Sequence, residues 1–170
     1  ISALIASVGV GLSLALQGSL SNFAGGLIII VMRPFRIGDY ITTNGESGTV
    51  EDIHMFYTTL VTSDNKVVYV PNGELANNVI VNTSVKDTRR VEVIMSVAYQ
   101  TDIEQAKRII AAVCEDNETI FKDPIPYITV GSYGDSAMNM LVRVWRQSKD
   151  YWPVTRYLTE QINIAFDPNG

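Results

Sequence analysis

Residues 1–39 read ISALIASVGVGLSLALQGSLSNFAGGLIIIVMRPFRIGD, and the first 32 of them contain no Asp, Glu, Lys, Arg or His. An uncharged run of this length exceeds the roughly 20 residues needed to span hydrocarbon. A secretory signal would open with basic residues and carry a shorter apolar run. Small residues fill 14 of the 32 positions. A lone helix facing lipid gains nothing from so many, whereas closely packed helices do, because small side chains let backbones approach. Ala3, Ala6 or Ser7, Gly9 or Val10, and Ser13 fall at steps of three or four, and Ile5, Val8, Leu12 and Leu16 form a second stripe of large residues. This pattern suits a helix packed on copies of itself. Gln17, Gly18, Ser19, Ser21 and Asn22 interrupt the run. The spacing predicts a helix over 2–17, a kink at Gly18 and a second helix over about 20–32. Arg33 and Arg36 follow, and basic residues beside a membrane segment favour the cytoplasmic side. A buried helix hairpin of a soluble domain is the alternative; the absent charges, abundant glycine and flanking arginines weigh against it.

Outward from this run, the charges lie elsewhere. Residues 33–90 hold six basic and seven acidic side chains, and 91–170 hold seven and eleven. The formal net charge of −5 argues against a general nucleic-acid binder, which needs a positive surface. One Cys excludes an internal disulfide, and one His excludes a His-rich metal site. No metal or cofactor is expected. The chain begins at Ile1 rather than Met, so it reads as a fragment that earlier membrane segments could precede.

After Pro34 the period changes. Asp39–Thr42, Gly48–Ile53, Phe56–Thr62, Lys66–Val70 and Val79–Val81 are β-branched and aromatic runs bounded by turn residues. Five short strands in about 50 residues suggest a small barrel, with Glu74–Asn78 as one helical turn. Asp39, Glu46, Glu51 and Asp52 have no spacing that pairs them as a catalytic site, and His54 reads as a loop or rim residue. Gly45–Gly48 lacks the lysine and following helix of a phosphate loop.

From 88 onward the order reads β-α-β-β-α. Val91–Val97 alternates. Thr101 with Glu104 suggests a capping box, followed by Ile103, Ala106, Ile110, Val113 and Cys114 at helical spacing. Cys114 reads as a small buried apolar residue. Asp123-Pro124 and Pro126 form a linker, Tyr127–Val130 a strand, and Gly131–Asp135 a turn. Ala137–Trp145 is a strand with Met138, Met140, Val142 and Val144 on one face. Asp150–Phe166 is a helix, and Asp167–Gly170 a turn. Two helices on one face of a small sheet is the natural packing. Arg143, Trp145 and Arg146 read as interface or edge packing rather than base stacking. One His cannot complete a nucleophile, base and orienting group, so an enzyme is disfavoured.

Leu14-Ala15-Leu16-Gln17-Gly18-Ser19-Leu20-Ser21-Asn22 and Met32-Arg33-Pro34-Phe35-Arg36-Ile37-Gly38-Asp39 resemble the small-conductance mechanosensitive channel family. So do Gly48-Thr49-Val50, Val70-Pro71-Asn72-Gly73, Val97-Ala98-Tyr99 and Val142-Arg143-Val144-Trp145. The likeness covers nearly the whole chain and points to the bacterial branch with the short core architecture. It implies a fold of a membrane pore helix over 1–35, an all-β Sm-like barrel domain over 36–87, and an α/β ferredoxin-like domain over 88–170. It further implies a homoheptamer with three membrane helices per subunit, this chain starting inside the third, and a hollow cytoplasmic vestibule with side portals. A terminal strand that normally follows the last domain is not reached.

By the same resemblance the pore constriction falls on Val10 and Leu14, where the family usually has leucine at both. Ala3, Ala6, Ser7, Gly9, Gly11 and Ser13 pack neighbouring pore helices. Members often have alanine where Gly11 stands and glycine where Ser13 stands. Gly18 and Gly26 match kinks. Asn22 matches a residue that touches the β-domain in inactivation, with Asn72 as its candidate partner. Arg33 and Arg36 match positions near lipid headgroups. The implied function is a weakly selective channel of the bacterial inner membrane, opened by tension, that releases ions and small osmolytes on hypo-osmotic shock. Membrane lipids and permeating solutes are its partners. Two further readings compete: a non-conducting membrane-anchored scaffold, and a soluble Sm-like module binding RNA, which the acidic balance does not favour.

Overall fold

The computed structural model describes residues 2–167, which divide into two compact units at the boundary between Val85 and Lys86. The turn expected over Asp167–Gly170 lies, from residue 168 on, outside the described residues.

The first unit opens with α1, Ser2–Met32. The two helices expected on either side of Gly18 are one. A mid-helix glycine costs only about 1 kcal/mol relative to alanine, too little to end a helix flanked by strong formers with no proline. Breaking the ladder in an apolar medium would also strand backbone groups. The helix ends where Pro34 was expected to end it. Arg33 leaves the right-handed region at φ 49°, and its N–H still donates to the Ile29 carbonyl at 2.8 Å.

Five strands follow: β1 Tyr40–Thr43, β2 Glu46–Ile53, β3 Tyr57–Val61, β4 Val67–Pro71 and, after the short helix α2 Asn72–Asn77, β5 Val81–Asn82. All five expected strands are present, and every pairing is antiparallel, in the order β4-β3-β2-β1-β5. Among the described residues no ladder joins β4 to β5, so hydrogen bonding does not close the sheet. Asn44 and Gly45, at φ 48° and 83°, form the two-residue turn between β1 and β2. The core is Ile29, Phe35, Ile41, Val50, Leu60, Val70 and Leu75. Ile29 and Phe35 are each 1 % exposed and tie the end of α1 into the sheet.

The second unit is β6 Thr88–Val97, α3 Ile103–Asp116, β7 Tyr127–Tyr133, β8 Met138–Gln147 and α4 Tyr151–Phe166. This is the expected β-α-β-β-α order, with β7 running beyond Val130 into the anticipated turn. The sheet order is β6-β8-β7, antiparallel throughout. Register explains the core: Val91 faces Val144, Val93 faces Val142, Met95 faces Met140 and Val97 faces Met138. These side chains pack on Ala106, Ile110 and Cys114 of α3 and on Val154, Leu158 and Ile162 of α4. The α3 cap is one residue later than the Thr101–Glu104 pattern suggested. Asp102 Oδ1 accepts from the Gln105 N–H at 2.8 Å, and aspartate caps at least as well as threonine. Cys114 is buried as expected, and burial, then the charge of Glu115, pushes its thiol up to about 11. It is therefore unreactive near neutral pH.

Candidate functional site

Every residue of α1 from Ser2 to Ser21 is exposed. At 1.5 Å per residue these 20 residues extend about 30 Å, the thickness of a hydrocarbon core. Val10 is 61 % exposed and Leu14 66 %, so neither enters a core formed by the described residues. Four residues apart, they stand on one side of the helix. Ala3, Ala6, Ser7, Gly9, Gly11 and Ser13 are exposed as well. The Ser7 hydroxyl donates back to the Leu4 carbonyl at 2.9 Å, which satisfies it without water. Gly18 has open space where a side chain would stand. An exposed apolar helix this long is unstable in water, so this stretch needs lipid or other helices around it.

From Asn22 onward the helix is seated on the β unit. Asn22, Gly25, Gly26 and Ile29 recur at steps of three and four and form the contacting stripe. A Cβ at Gly26 would stand 2.5 Å from the Met55 carbonyl oxygen and 2.8 Å from Asn72 Nδ2. Only a bare backbone fits there, so the glycine matched to a kink is required by close approach. On the facing side a Cβ at Gly73 would lie 2.9 Å from both Asn22 Oδ1 and Ser21 Oγ. Phe23 meets Phe56 with ring centroids 6.2 Å apart.

The two asparagines singled out in the sequence come together through Gly73. Asn22 Oδ1 accepts from the Gly73 N–H at 2.9 Å. The Asn72 side chain faces into the sheet, where Oδ1 accepts from Thr58 Oγ1 and Nδ2 donates to the His54 carbonyl, both at 2.8 Å. Asn72 is 0 % exposed. Nothing in the Pro71-Asn72-Gly73 turn signal indicates that burial. Arg33 and Arg36 are exposed just past the helix end. The loop carrying them is fixed by Asp39 Oδ2, which accepts from the Arg36 N–H at 2.9 Å and from Asn82 Nδ2 at 2.8 Å.

His54 Nε2 lies 3.5 Å from Asp52 Oδ2 and its ring packs on Tyr57. Among the described residues no group of three or more His, Cys, Asp or Glu could hold a metal ion. Arg143 and Arg146 are committed to the carboxylates of Glu92 and Asp150, at 3.0 Å each, and do not form a free basic patch.

An exposed apolar helix seated by its last third on a five-stranded β unit is an arrangement with known counterparts. The chain matches the model of the mechanosensitive ion channel beta-domain over residues 18–85, and that of the C-terminal part of the mechanosensitive ion channel MscS over 91–170. The crystal structure of Helicobacter pylori MscS in its closed state superposes with a TM-score of 0.94 at 35 % identity, covering 99 % of this chain and 67 % of that one. The chain belongs to the MscS family of mechanosensitive channels. The small-conductance mechanosensitive channel of Edwardsiella ictaluri is 40 % identical to this family member over 164 residues, 96 % of this chain and 57 % of that protein. The chain thus spans little more than half the length of that relative. MSL1 of Arabidopsis thaliana shares the MscS fold, with a TM-score of 0.78 at 20 % identity over 97 % of this chain and 62 % of that one.

Proposed function

We propose that the full-length protein is a weakly selective channel opened by membrane tension, which releases ions and small osmolytes on hypo-osmotic shock. The observation that carries this reading is the fully exposed, uncharged Ser2–Ser21 stretch joined to a docked remainder in a member of the MscS family. Seven copies of α1 surround the axis in this reading, with two further membrane helices per subunit preceding it. Val10 and Leu14 form the constriction. A ring of apolar side chains blocks ions by dewetting, without a plug. Ala3, Ala6, Ser7, Gly9, Gly11 and Ser13 let neighbouring helices pack closely and slide as tension favours the state of larger area. Gly18 and Gly26 are the places where the helix bends.

Arg33 and Arg36 sit at the headgroups of a bacterial inner membrane, with later residues in the cytoplasm. The β unit completes an Sm-like barrel in the assembly, and the second unit is the ferredoxin-like wall of a vestibule with side portals. Residues 1–32 carry no charge, so selectivity is weak and any preference arises in that vestibule. A non-conducting scaffold shares these domains. Cells lacking their own mechanosensitive channels separate the two: expression of the full-length protein is expected to restore survival of hypo-osmotic downshock, and a scaffold would leave survival unchanged.

Asn22 couples the pore helix to the β unit during inactivation, with Asn72 acting behind Gly73. The single bond from the Gly73 N–H supports this role. Under sustained suction, Asn22→Ala is expected to inactivate more slowly than wild type. Equal time courses would remove the role.

A further inference from the structure

The Asn22–Gly73 contact depends on how Asn72 is held, and one side chain decides that. Thr58 is 0 % exposed and lies in β3, paired to Ile53 of β2 on one side and Val70 of β4 on the other. Its hydroxyl is therefore a fixed point. Thr58 Oγ1 donates to Asn72 Oδ1 at 2.8 Å. With the carboxamide oxygen taken up there, Nδ2 is turned to the His54 carbonyl, also at 2.8 Å. The reverse orientation would set oxygen against the carbonyl oxygen of His54, so the network permits one placement. The Asn72 N–H donates to the Phe56 carbonyl at 2.9 Å. Three bonds thus hold Asn72, and the next N–H along the chain is the one Asn22 accepts, at 2.9 Å. The same Nδ2 lies 2.8 Å from where a Gly26 Cβ would be, against the backbone of the helix.

We propose that Thr58 is a positioning residue for the contact between Asn22 and Gly73: its hydroxyl sets the Asn72 carboxamide, hence the Gly73 N–H, and so the rate at which the channel inactivates. The inference rests on the channel reading above. Valine replaces the hydroxyl of threonine with a methyl group of similar size. Thr58→Val therefore leaves the Asn72 carboxamide oxygen buried and unpaired while changing the packing little, and an unpaired buried acceptor is costlier than a bond never made. Thr58→Ser keeps the donor. Thr43 supplies the control, being 2 % exposed in the same sheet with a hydroxyl that has no hydrogen-bond partner among the described residues.

The test is patch recording of the full-length channel held under constant suction. Thr58→Val is expected to slow inactivation roughly threefold to tenfold, the factor corresponding to loss of one buried hydrogen bond. Its opening tension is expected to stay that of wild type. Thr58→Ser and Thr43→Val are expected to inactivate as wild type does. In an Asn22→Ala background Thr58→Val is expected to add nothing, since the contact it positions is already gone. If Thr58→Val fails to assemble, Thr58→Ala removes the hydroxyl without adding bulk. Wild-type kinetics in the hydroxyl-free variant overturn the proposal. So does a Thr43→Val effect of equal size, or a full additive effect in the Asn22→Ala background. Absence of any tension-activated current from wild type would overturn the channel reading and this inference with it. Normal current with unaltered Thr58→Val kinetics would overturn this inference alone.

Discussion

Full-length channels carrying Leu14→Ser are expected to conduct at tensions that leave wild type shut, or to leak with no tension applied. Leu14 is 66 % exposed and packs on no core among the described residues. An apolar constriction stays dry because its walls offer water no hydrogen bonds. Moving a leucine side chain out of water is worth about 1.5–3 kcal/mol, and serine gains nothing comparable while offering a donor and an acceptor. The substitution enters once per copy, so a ring multiplies it. In the proposed ring of seven, half the single-site value sums to about 5–10 kcal/mol, comparable to or above the ~5.5 kcal/mol that carries a two-state equilibrium from 1:99 to 99:1. Opening tension in excised patches is the measurement. A Leu14→Ser channel that opens at the wild-type tension would remove Leu14 from the gate and shift attention to Val10 alone.

Asp150→Ala is expected to destabilise the second unit strongly. Arg146 is 0 % exposed. Its Nη2 lies 3.0 Å from Asp150 Oδ2, and its Nε donates to the Gln147 carbonyl at 3.1 Å. Burial pulls the guanidinium below its ordinary value, so the surroundings already resist the charge. Removing the carboxylate strands a cation in the core, which costs about 3–5 kcal/mol for a fully buried pair. The Asp150 side chain is 30 % exposed, so water recovers part of this, and about 3 kcal/mol is the expected loss. Arg146→Met removes the cation together with its need for a partner, and is expected to be near neutral or stabilising. Denaturant unfolding of the isolated variants in detergent, followed by loss of α3–α4 helicity, separates the two. Equal destabilisation by both substitutions would show that packing of the arginine stem, not its charge, dominates.

The period of the sequence revealed the elements because burial in this chain follows it closely. Met138, Met140, Val142 and Val144 alternate and are all buried, and Val154, Leu158 and Ile162 recur at four and are all buried. Extending the β8 alternation by one step places Arg146 on the same core face. Residue type argued for the surface and position for the interior; position decided, because Asp150, four residues on in the turn that follows β8, lies 3.0 Å away to pair with it. The division into two helices expected at Gly18 is absent. Glycine weakens a helix, but the flanking leucines and alanines, with no proline, carry it through.

The docking stripe was the least legible part. The glycines of α1 could be read as smooth packing surface or as kinks. Only the approach of Met55 and Asn72, which come from segments 29 and 46 residues further along the chain than Gly26, shows what Gly26 is for. The burial of Asn72 has the same origin, since its partners Thr58 and His54 reach it through sheet pairing. Contacts between segments distant in sequence leave no local pattern, whereas amphipathic faces do.

Patch recording of the full-length protein in lipid vesicles under graded suction bears most directly on the central claim, that copies of α1 line a tension-gated water path. Discrete current steps are expected, with a frequency that rises with applied suction and a reversal potential near zero in a salt gradient. Protein shown to be inserted and oligomeric, yet giving no steps up to membrane rupture, would contradict it.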